Sequence, residues 1–154
     1  MSALVDTTSL NEYGFEAQAR YLYEDVFRRS CLHKAWTRIT GKKDTLQDIT
    51  SLTGGKKVVS SHYQGRRKVP IEAIKGSEGR SEDFDASFRP RMKHNSQRWI
   101  RVASAFAKGI GMPPVELIQI GEVFVVRDGH HRISVAKAYG AYSVEASVTV
   151  WDID

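Results

Sequence analysis

Five consecutive residues, Asp128, Gly129, His130, His131 and Arg132, carry the side chains best suited to chemistry in this chain. The glycine lets the backbone approach a ligand closely, because it lacks a Cβ and tolerates angles closed to other residues. A helix opening just after it turns unpaired N–H groups and the positive end of its dipole toward the same point. Arg132 adds a planar fork of donors, and His130 and His131 add two imidazoles in the same first turn. Three potential cations behind a glycine suit an anion, above all a phosphate. Asp128 reads as a base, as a partner that fixes a histidine's tautomer, or as a plain helix cap. The two histidines are neighbours, so on a helix they diverge by about 100° and do not easily share one metal ion. His33, His62 and His94 show no ligand spacing.

The flanking pattern supplies elements to position these groups. Val123 to Val126 form an apolar run that reads as a buried strand leading into the motif. Ile133, Val135, Ala136 and Tyr139 are the apolar positions of the helix that follows, with Gly140 as its stop. Upstream, Val115, Leu117 and Ile118 begin a strand that turns at Gly121-Glu122, which predicts a hairpin. Trp99, Ile100, Val102, Ala103 and Phe106 predict a helix from about Ser96 to Gly109, closed by Gly109-Ile110-Gly111 and Met112-Pro113-Pro114. Val144 to Trp151 alternate as a last strand. Val69, Ile71 and Ile74 predict a short strand that delivers Lys75-Gly76-Ser77.

The N-terminal half is organised differently. From Asn11 to about Ile39 two apolar stripes run side by side. Phe15, Ala19, Leu22 and Val26 make one; Tyr23, Phe27, Cys31, Ala35 and Ile39 make the other. They predict a helix ended by Gly41 and broken once near Ser30 to Leu32. It packs on the domain or on a second copy, giving a homodimer. Residues 41–67 read as a loop-rich basic connector, with Leu46 to Leu52 as a helical turn and Gln64-Gly65-Arg66-Arg67 as a turn. Gly54-Gly55-Lys56 lacks the spacing and Lys-Ser/Thr ending of a P-loop. The expectation is an α+β chain. A flexible tail spans 1–10, a helical extension and basic connector 11–67, and a domain with a small mixed sheet and packed helices 68–154.

The run PPVELIQIGEVFVVR-DGHHRISVAKAYG, followed by VEASVTVW, resembles the core of the ParB/sulfiredoxin superfamily over roughly residues 69–152. The sulfiredoxin motif Gly-Cys-His-Arg is matched at Gly129, His131 and Arg132. The ParB motif Gly-Glu-x-Arg is matched at Gly129 and Arg132. The Asp-Gly-His-x-Arg motif of the superfamily's free-serine kinases is matched at Asp128, Gly129, His130 and Arg132. The resemblance implies a ParB/sulfiredoxin-like fold and a nucleotide phosphate held at the turn, with ATP or CTP and Mg²⁺ as cofactors and hydrolysis or phosphoryl transfer as the reaction. Gly129, His131 and Arg132 would bind phosphate, and Asp128, His130 and His131 would serve the chemistry. A Gly-Ser pair before an arginine and an Asp-Phe-Asp resembles small ParB-like proteins. It implies that Ser77 and Arg80 reach the phosphate and that Asp83 and Asp85 hold Mg²⁺ or orient a hydroxyl. Alternatively Phe84 and Phe88 staple this loop to the core. His130 stands where sulfiredoxin has its reactive cysteine, and Cys31 lies far away in the sequence, which argues against sulfinic acid reduction. ParB's acidic residue is also replaced by His130, so a CTP-driven clamp does not simply carry over.

Composition bounds the rest. One cysteine excludes a disulfide framework and a cysteine-based zinc site. No apolar run is long enough to span a bilayer, and the first twenty residues carry acids rather than a signal-peptide pattern, which predicts a cytoplasmic protein without a membrane partner. Charge is uneven: residues 61–110 hold eleven Lys/Arg against five Asp/Glu, whereas residues 111–154 hold three against six. Arg66, Arg67, Lys68, Arg91 and Lys93 belong to the basic middle, which is the place for DNA if this is a DNA-binding or nuclease module. A basic solvated surface and a non-catalytic interaction protein are the alternatives.

Overall fold

The computed structural model describes residues 11–154, so the tail expected at 1–10 lies outside the described residues. Helix α1 spans Glu12–Thr40 without a break. Asn11 starts it by accepting the Gly14 N–H on its side chain, and Gly41 ends it in the left-handed region at φ +72°. The break expected near Ser30 is absent, because the residues there are all compatible with helix. What changes at that point is what the helix touches. Ala19 and Tyr23 are buried, whereas Leu32, Trp36 and Ile39 stand in solvent.

The stretch expected as a loose connector is built into the sheet. It contains strand β1 (Gln47–Asp48), helix α2 (Ile49–Thr53) and strand β2 (Val58–Pro70). The Gln64–Arg67 turn is instead strand interior, with a register shift between Tyr63 and Gly65. A domain boundary at 67/68 would cut β2. Next come β3 (Ile74–Ser77), α3 (Ser96–Ala107), β4 (Val115–Ile120), β5 (Val123–Asp128), α4 (His130–Ala138) and β6 (Ser143–Ile153). The six strands form one mixed sheet in the order β1-β3-β5-β4-β6-β2. β4 and β5 are the expected hairpin, β3 runs parallel to β5, and β4 runs parallel to β6. The fold is α+β.

Two apolar clusters meet at α4. Ile133 and Ala136 join the cluster on the sheet, with Leu117, Val126, Ala146, Phe84 and Phe88. Val135 joins the other, with Ala19 and Tyr23 of α1 and Trp99, Ile100 and Ala103 of α3. α4 is therefore covered on both sides, and six of its nine residues are buried. The polar group at the centre is Ser134, whose hydroxyl accepts the Trp99 indole N–H at 2.8 Å and donates to the Phe88 carbonyl at 2.5 Å. Phe88 holds a positive φ of 59°, costly for an aromatic residue, and its buried ring and bonded carbonyl keep it there.

Ser134→Ala removes the one hydroxyl that serves both the Trp99 N–H and the Phe88 carbonyl. Two buried polar groups lose their partner, so urea unfolding should show a loss of about 1–3 kcal/mol.

Candidate functional site

The site forms where two parallel strands end side by side. Ser77 of β3 pairs in register with Val126 of β5, and the chain then leaves β3 toward Arg80 and β5 toward Gly129. Carboxyl ends of adjacent parallel strands leave a crevice in which ligands commonly sit. Two glycines make the geometry possible. A Cβ on Gly76 would lie 2.8 Å from the Gln47 carbonyl of β1, so only glycine lets that strand approach. Gly129 adopts φ +108°, and a Cβ there would lie 2.6 Å from Val115 Cγ1.

The two exits are joined by a hydrogen bond of 2.6 Å between Ser77 Oγ and His130 Nε2. The same hydroxyl accepts the Arg80 backbone N–H at 3.1 Å. Arg80 in turn donates from Nε to Asp83 Oδ2 at 3.2 Å. Phe84 stacks on His130 with ring centroids 5.9 Å apart and meets His131 edge-on at 5.4 Å. His131 Nε2 is buried without any hydrogen-bond partner. No side chain caps the start of α4.

Both imidazoles are held neutral. Burial pushes the pKa of each down from 6.5 to about 4, with the Arg80 guanidinium as the next cause. Arg98, on α3, presses His131 further in the same direction, while Asp83 opposes it. The two histidines thus act near neutral pH as hydrogen-bonding groups, and the positive charge at the site comes from Arg80 and Arg98. Ser77 is fully buried, so it serves as a strut between β3 and α4 and cannot be reached as a nucleophile.

Other expected residues sit elsewhere. Arg132 Nη1 donates to the Pro113 and Pro114 carbonyls at 2.7 and 2.9 Å, and Nη2 pairs with Asp128 at 3.1 Å. Arg132 and Asp128 thereby pin the motif to the chain entering β4, and Asp128 is bonded to this arginine rather than to a histidine. Asp83 lies beside the imidazoles. Asp85 is buried on the other side of the loop, where it accepts the Ser87 and Arg89 N–H groups and pairs with Arg89. Its desolvation raises its pKa, and it borders a cavity of about 30 Å³ against Ser30 and Lys34 of α1. Among the described residues no group of three His, Cys, Asp or Glu could hold a metal ion.

The basic residues of the middle region are dispersed. Arg66, Arg67 and Lys68 lie on β2, where Arg67 donates to Gln119 and covers the Phe124 ring. Arg91 pairs with Glu82, and Lys93 lies over Phe27 of α1. Arg98 was visible in the sequence only as one of many basic residues. No local signal marks it, because the packing of α3 on α4 is what brings it to His131. Among the described residues no helix is long and apolar enough to cross a membrane. No family model matches the chain, and neither a curated protein nor a solved structure matches it.

The depressed histidine values set the sign of the acid response. Below pH 6.5 the unfolded chain takes up protons that the folded histidines refuse until about pH 4, so stability is full above 6.5 and falls as pH drops through that window. Urea midpoints should decline between pH 6.5 and 4, with a loss on the order of 3 kcal/mol per imidazole at the lower end. His131→Phe should flatten the decline.

Proposed function

We propose that the ends of β3 and β5, at the first turn of α4, bind the phosphates of a nucleotide, ATP or CTP with Mg²⁺, and support its hydrolysis or the transfer of a phosphoryl group. The observation that carries this reading is the convergence of the Ser77–Arg80 turn on the first turn of α4, through the Ser77–His130 bond of 2.6 Å. That contact sets a guanidinium beside a helix N-terminus that no side chain caps. Helix N–H groups, a planar cation and a glycine turn are what a phosphate needs.

Each residue then has a part. Arg80 exchanges its Asp83 partner for phosphate oxygens, and Arg98 adds charge from α3. His131, neutral and with Nε2 buried and unpartnered, forms the inner wall behind the phosphate. His130 and Ser77 hold the two exits at a fixed separation. Arg132 is a positioning residue, since its bonds to the Pro113 and Pro114 carbonyls hold Gly129 against β4. Asp83, released from Arg80, is a carboxylate whose charge reaches both imidazoles, and it serves Mg²⁺ or an attacking hydroxyl. The donor set suits phosphate better than a bare metal: a cation here is held mainly by the nucleotide, where it neutralises phosphate charge.

Calorimetry with ATP, CTP, GTP and ADP in Mg²⁺ tests this directly. One nucleotide should bind with a Kd of about 1–100 μM, and Arg80→Ala should lose more than about 2 kcal/mol of that affinity. Release or transfer of phosphate should fall with it. Absence of binding by all four nucleotides at millimolar concentration would sink the proposal, as would an Arg80→Ala variant that binds as well as the parent.

A further inference from the structure

The outer face of α1 carries a pattern that the folded domain does not use. Tyr21, Asp25, Arg28, Leu32, Ala35 and Ile39 follow one another at alternating intervals of four and three residues. At about 100° per residue this row lies opposite the face of Ala19, Tyr23 and Ser30 that packs on the domain. Its large apolar members are open to solvent: Tyr21 is 78 % exposed, Leu32 67 % and Ile39 80 %, with Trp36 beside them at 61 %. A mean spacing of about 3.5 residues is the seam of a helix that packs lengthwise against another helix.

The charges select the partner and its direction. Residues 12–25 carry Glu12, Glu16, Glu24 and Asp25 against Arg20 alone, whereas residues 26–40 carry Arg28, Arg29, Lys34 and Arg38 and no acid. This polarity also suits the helix dipole. Two copies side by side in parallel would set like charge against like. Two antiparallel copies set the acidic half of each against the basic half of the other.

We propose that α1 pairs with α1 of a second copy of this chain in an antiparallel two-helix seam whose two-fold axis passes at the level of residue 30. The spacing is self-complementary about that point. Tyr21 meets the partner's Ile39, Asp25 the partner's Ala35, and Arg28 lays its aliphatic stem on the partner's Leu32. On one flank Glu24 faces the partner's Arg38, and on the other Leu22 faces the partner's Trp36. Arg29 approaches the partner's Arg29 at the axis, and each keeps its own Asp25 at 3.2 Å. The exposed Cys31 comes to lie opposite the partner's Cys31. The seam uses the face of α1 opposite Ala19 and Tyr23, so it leaves the first turn of α4 uncovered.

Sedimentation of the full chain, with a short bismaleimide as thiol cross-linker, tests the pairing. The chain should sediment as a dimer at about 50 μM, and Cys31 should cross-link between copies. Leu32→Glu with Ile39→Glu changes only exposed side chains, so circular dichroism should stay unchanged while dimer and cross-link are lost. Arg38→Glu should weaken the dimer at least about tenfold, and adding Glu24→Arg should restore it. A chain that stays monomeric, or a dimer that survives the two glutamates, overturns the proposal. Failure of the charge swap to restore pairing overturns the antiparallel register.

Discussion

The arrangement hangs on one hydroxyl. Ser134 sits midway along α4, accepts a hydrogen bond from the Trp99 indole of α3 and donates one to the Phe88 carbonyl. Three segments distant in sequence are thereby locked at a single buried point. α3 is fixed against α4, which sets Arg98 near His131. The loop after β3 is fixed through Phe88, which sets Phe84 against both imidazoles. Without that point the apolar clusters on either side of α4 would still form, but the loop that carries Arg80 would lose the bond that ties Phe88 to α4 and keep those to Ser77, Val126 and Asp44 and within itself. Buried polar groups of this kind specify one arrangement among the several that hydrophobic contact alone would allow.

The first turn of α4 shows how one glycine-led motif divides its work. Gly129 gives the backbone the left-handed angle and the room beside Val115 that the turn requires. Arg132 and Asp128 face outward to the segment before β4, and the histidines face inward to Ser77 and Phe84. The three side chains that look cationic in the sequence therefore split into one anchor, Arg132 with its Asp128 partner, and a neutral, desolvated pair of imidazoles. The remaining charge comes from other elements, β3's exit and α3.

What could be read from the sequence followed from local signals. Asn11 and Gly41 bracket α1, Gly121 marks the hairpin, and Gly140 closes α4, because caps and turns depend on the residues within a few positions. β2 was illegible for the opposite reason. Its sequence, VVSSHYQGRRKVP, has no clean alternation, since nearly all of it is exposed and its hydrogen-bond partner, β6, lies 73–95 residues later. The Arg132 anchor was equally hidden: its acceptors at Pro113 and Pro114 are backbone carbonyls, which no residue type advertises. Asp83 and Asp85 alternate in sequence, and the turn between them sends one toward the histidines and the other toward α1.

Among the described residues β2 ends the sheet, and no strand of theirs covers the row of backbone donors and acceptors on its outer edge. Such an edge, thirteen residues long, is a template on which another chain could lay itself down and begin a fibrous aggregate. The register shifts near Val58 and Tyr63 and the run Arg66-Arg67-Lys68 guard against this, by bending the strand and by crowding an incoming strand with positive charge. For the run Arg66-Arg67-Lys68, positive charge on a long open edge has a physical use that calls for no nucleic acid.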